Sequence, residues 1–307
     1  MNHAIIDLGS NTIRMSIYRC DDNGFAILIR QKEFAGLASH VKNGWLDEEG
    51  IEKACCTLSA FKEIAARFID EEKIHLFATA SLRGIRNQTQ ALEAIRHSCN
   101  ILPEVLSGEE EARLAFVGAS HFTDCNNGVL FDIGGASTEF ILFQDTRPIK
   151  LASMPIGCLN LSGKFVSKVI PTKKECEKIK NEIHAQINTH ITWKDIEDNQ
   201  LIIGVGGTVR AAHNLSCALF AQPAEQQEIK SKYIKKILNR IKNNENEIYR
   251  TIYRLVPERT LTIYTGLMIL NKALKKFNCK NFFVSNYGVR EGYLIDRVLK
   301  ENRPCEK

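Results

Sequence analysis

The feature that most constrains the fold is a glycine-rich turn between two apolar runs in residues 128–143. The first run ends at Asp132, the turn consists of small residues, and Glu139 lies at the start of the second run. Apolar runs on both sides of such a turn predict a β-hairpin. Small residues let backbone N–H groups approach an anion closely, and the two flanking carboxylates suit a divalent cation beside that anion.

The same design occurs at the start of the chain, in residues 4–18. There an apolar run reaches Asp7, a turn of Gly-Ser-Asn follows, and a second apolar run begins. One Asp beside a turn is commonly a structural cap. Two such hairpins, more than a hundred residues apart in the sequence, instead indicate two homologous halves that each present a phosphate loop. The sequence therefore predicts an α/β protein of two similar domains around a central cleft.

The pattern of the remaining chain supports the α/β class, because strand and helix signals alternate. A third strand is predicted in each half, at residues 25–30 and 149–154. Helices are predicted at residues 47–70 with Asp47 as the N-cap, 87–99, 107–119, from 172 onwards, 230–243, 257–276 and 290–300. We expect a linking turn at residues 124–128 and therefore domains of residues 1–120 and 121–307.

Composition excludes several classes of protein. The chain of 307 residues carries a net charge of +5, which is modest for this size and does not by itself predict nucleic acid as a partner, for which a concentrated basic stripe would be expected. No apolar run reaches the roughly 18 residues that cross a bilayer, so no membrane association is expected. Ten cysteines form no C-x-x-C pair and the first apolar run ends at Asp7. We therefore expect reduced thiols, no secretory leader and a cytoplasmic location.

Six stretches together resemble one family, in order and spacing, over nearly the whole chain. They are residues 7–12, 78–83, 107–114, 132–139, 204–208 and 285–292. They are similar to the motifs of the exopolyphosphatase and guanosine pentaphosphate phosphohydrolase (Ppx/GppA) family, within the actin, sugar-kinase and Hsp70 ATPase superfamily. The resemblance implies two ribonuclease H-like (actin-like ATPase) domains, and a C-terminal helix, residues 290–302, that packs on the first of them.

The resemblance also implies roles for particular residues. Glu111 matches the family's catalytic base by position, with Glu110 as the alternative, although acidic residues in a first helical turn also suit the helix dipole. Arg83 would contact the scissile phosphate or form a structural salt bridge. Asp132 and Glu139, with Asp7 near them, would hold Mg²⁺. The expected phosphate-binding residues are Gly9, Ser10, Asn11, Thr12, Gly134, Gly135, Ala136, Ser137, Thr138, Gly206, Gly207 and Thr208.

Two of these positions depart from the family pattern, and one loop has an alternative interpretation. Ala136 replaces a glycine and Thr12 stands where Ser is common, but neither change removes a donor N–H or a carboxylate. The turn at residues 206–208 could touch phosphate, bind an inhibitory nucleotide, or simply join a strand to a helix.

The function implied is Mg²⁺-dependent exopolyphosphatase activity, which releases orthophosphate from the end of polyphosphate. Short chains are expected as substrates, because longer relatives continue into an additional helical domain. The alternative substrate is guanosine pentaphosphate, which presents the same terminal phosphoanhydride. Less favoured alternatives are an acceptor-dependent kinase and a non-catalytic nucleotide sensor. The family resemblance further implies a homodimer.

Overall fold

The computed structural model describes residues 1–22, 24–121, 126–193, 201–243 and 245–300. Two compact units divide the chain. Unit 1 contains Met1–Glu111 together with residues 293–300, and unit 2 contains Ala112–Gly292. The division falls inside a helix that begins at Gly108, ahead of the boundary expected at residue 120. Residues 122–125 of the expected linking segment, and the end of the expected C-terminal helix at 301–302, lie outside the described residues.

Unit 1 is built on a five-stranded sheet. In chain order its strands are β1 (Asn2–Leu8), β2 (Ile13–Asp21), β3 (Gly24–Glu33), the separate short pair β4 (Val41–Lys42) and β5 (Trp45–Leu46), β6 (Ile74–Ala78) and β7 (Glu104–Val105). The sheet order is β3-β2-β1-β6-β7. The first three strands are antiparallel neighbours, whereas β6 runs parallel to β1 and β7 runs parallel to β6.

Unit 2 repeats this arrangement with one additional strand. Its strands are β8 (Gly128–Ile133), β9 (Thr138–Gln144), β10 (Arg147–Met154), β11 (Leu201–Val205), β12 (Glu228–Lys230) and β13 (Asn281–Val284). The sheet order is β10-β9-β8-β11-β13-β12, in which β11 and β13 are parallel to β8 and β12 is an antiparallel edge strand. The same order of five strands in both units confirms the predicted pair of similar α/β halves.

The helices cover these sheets. In chain order they are α1 (Glu48–Ala65), α2 (Gln88–Cys99), α3 (Gly108–Ser120), α4 (Cys158–Phe165), α5 (Lys173–His190), α6 (Gly206–Phe220), α7 (Ser231–Lys242), α8 (Asn246–Leu255), α9 (Ile263–Lys276) and α10 (Val289–Tyr293), which continues as a π-helical segment, Leu294–Leu299. In unit 1 the buried side chains of α1 and α2 join those of the sheet in one core. None of the described helices combines the length and the apolar character needed to cross a membrane.

Predicted caps account for two helix starts. Asp47 accepts a hydrogen bond from the amide of Gly50 (2.9 Å) and so begins α1. Thr172 and Glu175 form a reciprocal capping box at α5, in which the Thr172 amide donates to the Glu175 carboxylate (2.7 Å). These two caps confirm the predicted starts, although α1 ends at Ala65 instead of residue 70.

A second predicted helix is shorter than expected, and five of the strands and helices named above were not predicted. Residues 257–276 do not form one helix, because α9 begins only at Ile263. The hydroxyl of Thr260 donates to the carbonyl of Pro257 (2.7 Å), a local bond that competes with helical pairing. These are α4, α8, β4, β5 and β12.

A buried histidine in β1 makes the stability of the chain depend on pH. His3 is 5% exposed, and its Nδ1 lies 3.3 Å from Nε2 of His75 in β6. Burial, and then His75, lower the pKa of His3 to about 4, whereas an unfolded histidine titrates near 6.5. The unfolded chain therefore binds a proton between these values that the folded chain does not, so stability falls as pH decreases from about 6.5 to about 4.

We expect His3→Gln to flatten this dependence. The free energy of unfolding by urea, measured at about pH 7 and about pH 5, should change less in the variant than in the wild type. Equal pH dependence in both proteins would show that His3 is not the responsible group.

Candidate active site

The carboxyl ends of three parallel strands meet at one edge of the unit 1 sheet. β1 ends at Leu8, whose carbonyl accepts from the amide of Thr79 (3.4 Å) and from the hydroxyl of Ser81. The amide of Leu106, after β7, donates to the carbonyl of Ala78 at the end of β6 (2.9 Å). These bonds fix the segment that carries Arg83 and the start of α3 beside the strand that leads into loop 1 (residues 9–12).

At this edge Arg83 and Glu111 form an ion pair. Nη1 of Arg83 lies 2.8 Å from Oε2 of Glu111 and also donates to the carbonyl of Leu106 (3.1 Å). Glu111 is 9% exposed and lies in the first turn of α3, where its amide donates to the carbonyl of Ser107 (2.9 Å). A guanidinium suits phosphate oxygens and a carboxylate can orient water. The structure therefore brings the two predicted catalytic side chains together.

The neighbouring Glu110 is engaged elsewhere in unit 1. Its amide donates the predicted capping bond to the hydroxyl oxygen of Ser107 (3.1 Å). Its carboxylate lies 2.5 Å from Nη2 of Arg297, in the π-helical segment, and Arg297 also lies 3.7 Å from Glu104. This ion pair gives Glu110 a structural partner and favours Glu111 as the candidate base.

Loop 1 and its counterpart in unit 2, loop 2 (residues 134–137), have the same tight turn. A Cβ atom placed on Gly9 would lie 2.8 Å from the carbonyl oxygen of Thr12, and one placed on Gly134 would lie 3.0 Å from that of Ser137. In both loops the glycine lies two residues after the Asp, and it approaches the carbonyl of the residue three positions further on. A larger residue in place of the glycine would open either turn.

The carbonyl groups of both loops are bound by backbone amides of the segment that follows the third strand. In unit 1 the bonds run from Gly36 to Asn11 (2.9 Å) and from Ala38 to Ser10 (2.9 Å). In unit 2 they run from Cys158 to Gly134 (3.0 Å) and from Leu159 to Gly135 (2.8 Å), at the start of α4. No turn or loop bond of the described residues uses the amides of residues 135–137 as donors. Those amides can therefore bind an anion.

The segment before α4 fits closely against loop 2. A Cβ atom on Gly157 would lie 2.4 Å from the carbonyl of Gly135. The side-chain amide of Asn160 donates to the carbonyl of Ala136 (2.8 Å) and its Oδ1 accepts from the amide of Gly157 (2.7 Å). Neither residue was predicted to matter for the site, because their sequence neighbourhood contains no phosphate-loop pattern.

Asp132 and Glu139 are direct cross-strand partners in the β8–β9 pair. Side chains in such positions have Cβ atoms about 5 Å apart, and like charges there repel each other. Glu139 is 1% exposed, and its Oε1 accepts from the hydroxyl of Ser153 (2.8 Å). Two hard oxygen ligands held this way fit Mg²⁺, which commonly binds one or two carboxylates and completes its shell with water and phosphate oxygens.

The third predicted metal ligand has a different partner. Asp7 lies in unit 1, where its cross-strand partner is Arg14. Arg14 follows Asp7 by the same seven positions that separate Glu139 from Asp132. Across the described residues, no group of three or more His, Cys, Asp or Glu side chains is placed to hold a metal ion. The two hairpins thus differ in charge, because one pairs two carboxylates and the other pairs a carboxylate with a guanidinium.

The turn at residues 206–208 lies against Asp132. Gly206 begins α6 with a φ of 94°, and a Cβ atom on it would lie 2.3 Å from Oδ1 of Asp132. Thr208 is 1% exposed, and a Cβ atom on Gly266 of α9 would lie 2.6 Å from its Cγ2 atom. The backbone at Gly206 therefore belongs to the region of loop 2, whereas the Thr208 side chain packs on α9.

Hydroxyl groups at the ends of the two loops are used differently. Thr138 is fully buried, and its hydroxyl donates to the carbonyl of Ile156 (2.7 Å), which stabilises the hairpin. Thr12 is 4% exposed, and its hydroxyl has no hydrogen-bond partner among the described residues. A buried hydroxyl normally has a partner, so loop 1 holds a donor that a bound anion could use.

The model of the Ppx/GppA phosphatase family matches residues 16–301. The chain belongs to the Ppx/GppA phosphatase family. The matched range begins at residue 16 and therefore does not include loop 1. The equivalence of loop 1 to loop 2 thus comes from the structure of this Ppx/GppA chain and not from the family match.

Among curated relatives, a protein named guanosine-5'-triphosphate,3'-diphosphate pyrophosphatase from Aliivibrio fischeri is 28% identical, over 99% of this chain and 61% of its own length. A protein of the same name from Photobacterium profundum is 27% identical, over 97% and 59%. The Ppx/GppA chain thus spans about three fifths of the length of these relatives.

Among solved structures, the Aquifex aeolicus member of the Ppx/GppA family has a TM-score of 0.80 and 26% identity, over 99% of both chains. An exopolyphosphatase from Cytophaga hutchinsonii has a TM-score of 0.84 and 20% identity, over 98% of both, which shows a shared fold. These structures confirm the α/β class and the fold expected for a Ppx/GppA protein.

Proposed function

We propose that this chain is a phosphoanhydride hydrolase that releases orthophosphate from the end of inorganic polyphosphate. The observation that carries the proposal is the pair of equivalent loops. Each follows a strand that contains an Asp, and in each the loop carbonyls accept hydrogen bonds from backbone amides of the segment after the third strand. Backbone amides in such turns bind phosphate oxygens irrespective of what the phosphate is attached to. A substrate made of phosphate alone suits a site whose main recognition elements are loops of this kind.

Arg83 and Glu111 supply the remaining groups for hydrolysis. Arg83 would bind oxygens of the terminal phosphate with its guanidinium. Because Nη1 of Arg83 lies 2.8 Å from Oε2 of Glu111, this would place the phosphate beside Glu111. The Glu111 carboxylate would orient a water molecule and accept its proton as the oxygen attacks phosphorus. Phosphoryl transfer depends mostly on positioning and charge neutralisation, which this pair and loop 1 together provide.

Asp132 and Glu139 would hold Mg²⁺. The fit rests on their cross-strand placement, the burial of Glu139 and the oxygen-only donor set. When bound, Mg²⁺ neutralises charge on phosphate oxygens. Ser153 orients the Glu139 carboxylate for this purpose. Asp7, in unit 1, is retained as a further candidate ligand.

Guanosine pentaphosphate is the second candidate substrate. It is favoured by the curated relatives, which are named for action on that nucleotide. Both substrates end in a phosphoanhydride, so the same loops and the same Glu111 would serve either.

Phosphate release from tripolyphosphate, long polyphosphate and guanosine pentaphosphate, each with Mg²⁺ and with EDTA, tests the proposal. We expect Mg²⁺-dependent release, with a higher kcat/KM for polyphosphate. A higher kcat/KM for the nucleotide would select the second candidate. Release only with an added acceptor would indicate a kinase, and nucleotide binding without release would indicate a sensor; both results would refute hydrolysis.

The family resemblance also leads us to propose a homodimer, and the composition leads us to propose a cytoplasmic location without nucleic-acid or membrane partners. Light scattering of the purified chain measures its mass directly. A monomer at micromolar concentration would contradict the proposed dimer.

A further inference from the structure

The charge of the chain is concentrated on one helix of unit 2. Helix α7 carries four lysines and one arginine with no acidic residue, so its charge of +5 equals the net charge of the whole chain. All other residues taken together are therefore electrically balanced. The exposed face of α7, which we call the α7 face, consists of Lys232, Lys235, Lys236, Asn239 and Lys242, with Arg240 at its margin.

Part of this charge pattern opposes the local stability of α7, whereas Arg240 and Lys242, in the last turn, suit the helix dipole. Lys232 and Lys236 are four residues apart, a spacing at which like charges repel each other in a helix. Lys232 also lies in the first turn, where the helix dipole disfavours a cation. In the described residues the ion pairs of α7 are those of Arg240 with Glu245 (3.8 Å) and Glu247 (3.7 Å), both long. An unbalanced face of this kind indicates an anionic partner more than ordinary solvation.

Two features restrict what the partner can be. The apolar side chains of α7, Ile234, Ile237, Leu238 and Ile241, are buried in the core of unit 2, so the helix has no free apolar face to insert into a membrane. The aromatic rings beside it are also covered. Phe220 stacks on Tyr233 at 4.3 Å, and Lys236 and Arg240 lie over its ring. Single-stranded nucleic acids need open aromatic faces for base stacking, whereas a polymer of phosphate alone does not.

The position of α7 favours a polymer over a nucleotide. The amide of Ser231 donates to the carbonyl of Lys280, just before β13 (2.8 Å). Because β13 is parallel to β8, α7 begins at the amino ends of these strands, whereas loop 2 follows the carboxyl end of β8. These two ends of the strands are the two edges compared next. A strand of the length of β8 separates these edges by roughly 20 Å. A long phosphate chain could reach both edges, but a nucleotide could not.

We propose that the α7 face is a secondary binding surface for inorganic polyphosphate, which retains the distal part of a long chain. The effect on turnover rests on the proposed hydrolase function, whereas polyphosphate binding to the α7 face does not depend on that function. The α5 helix provides the contrast, because its four lysines alternate with Glu175, Glu177 and Glu182. That mixed face is the pattern expected of a simply solvated helix.

The test compares two triple variants of equal charge change in the full chain. One is Lys232→Gln/Lys235→Gln/Lys236→Gln on α7, and the matched control is Lys173→Gln/Lys174→Gln/Lys178→Gln on α5. Binding of end-labelled long polyphosphate is followed by fluorescence anisotropy in EDTA over a series of salt concentrations. We expect the α7 variant to bind about tenfold more weakly than the α5 control, and its salt slope to fall by about 2.

A steady-state measurement connects this surface to turnover. In the α7 variant the KM for long polyphosphate should rise about tenfold more than the KM for tripolyphosphate. Equal binding of polyphosphate by the two variants would overturn the proposal. So would an oligonucleotide that binds the wild type more tightly than polyphosphate does and loses that binding in the α7 variant. Absence of phosphate release by the wild type would refute the hydrolase function alone, because the anisotropy assay does not depend on turnover.

Discussion

Replacing Glu111 by Gln is expected to lower kcat for phosphate release by about 10²–10⁴-fold, the usual contribution of a general base. The amide keeps the size of the side chain and can still accept a hydrogen bond from Nη1 of Arg83, which lies 2.8 Å from Oε2 in the wild type. It cannot accept a proton from water. Polyphosphate affinity, measured by anisotropy in EDTA, should change far less than kcat.

Glu110→Gln is the matched control, because it removes the same charge from the adjacent position of α3. In the wild type the Glu110 carboxylate pairs with Arg297, which is partly exposed. Loss of this pair is therefore expected to lower the free energy of unfolding by about 1 kcal/mol or less. The kcat of Glu110→Gln should stay within a few-fold of the wild type. A larger loss of kcat in Glu110→Gln than in Glu111→Gln would exchange the two assignments.

Local patterns in the sequence were sufficient for the hairpins, the third strands and most helices. The hairpins at residues 4–18 and 128–143 are predicted by two apolar runs around a glycine turn, and this signal lies within each segment. The caps at Asp47 and Thr172 are equally local. The proximity of Arg83 and Glu111 required more, because it depends on β6 and β7 lying side by side in one sheet.

Features that depend on contacts between distant segments could not be read from the sequence. The close approach of Gly157 to Gly135, and the bonds of Asn160 to loop 2, exist only because β10 brings α4 back to that loop. Arg14 was available to sequence analysis through its equal spacing from Asp7. Only the register of β1 and β2 shows that this spacing makes Arg14 the cross-strand partner of Asp7. The start of α9 at Ile263 follows backbone bonds from Thr260 to Pro257 and from Thr262 to Arg259, three residues back, which helical periodicity does not reveal.

Replacing Gly206 by Ala is expected to cost about 3 kcal/mol of stability or more and to abolish most phosphate release. Its φ of 94° is unfavourable for any residue with a Cβ atom, and such strain costs about 1–3 kcal/mol. The added methyl would also lie 2.3 Å from Oδ1 of Asp132 and 3.0 Å from the carbonyl of Ile133. Overpacking of this kind adds about 1–3 kcal/mol. Relief of the contact requires the Asp132 carboxylate to move away from residue 206, out of the position in which it would bind Mg²⁺.

The matched control is Gly163→Ala in α4, where a Cβ atom would meet no other atom within 4 Å. Alanine in a helix interior is favoured over glycine by roughly 0.5–1 kcal/mol, so this variant should be as stable as the wild type or more stable. Urea unfolding and phosphate release at several Mg²⁺ concentrations separate the two effects. If displacement of Asp132 is the cause, the Gly206→Ala protein that remains folded should need more Mg²⁺ for half-maximal rate. A Gly206→Ala protein that unfolds like Gly163→Ala and keeps the wild-type Mg²⁺ dependence would show that this turn tolerates a side chain and that Asp132 does not depend on it.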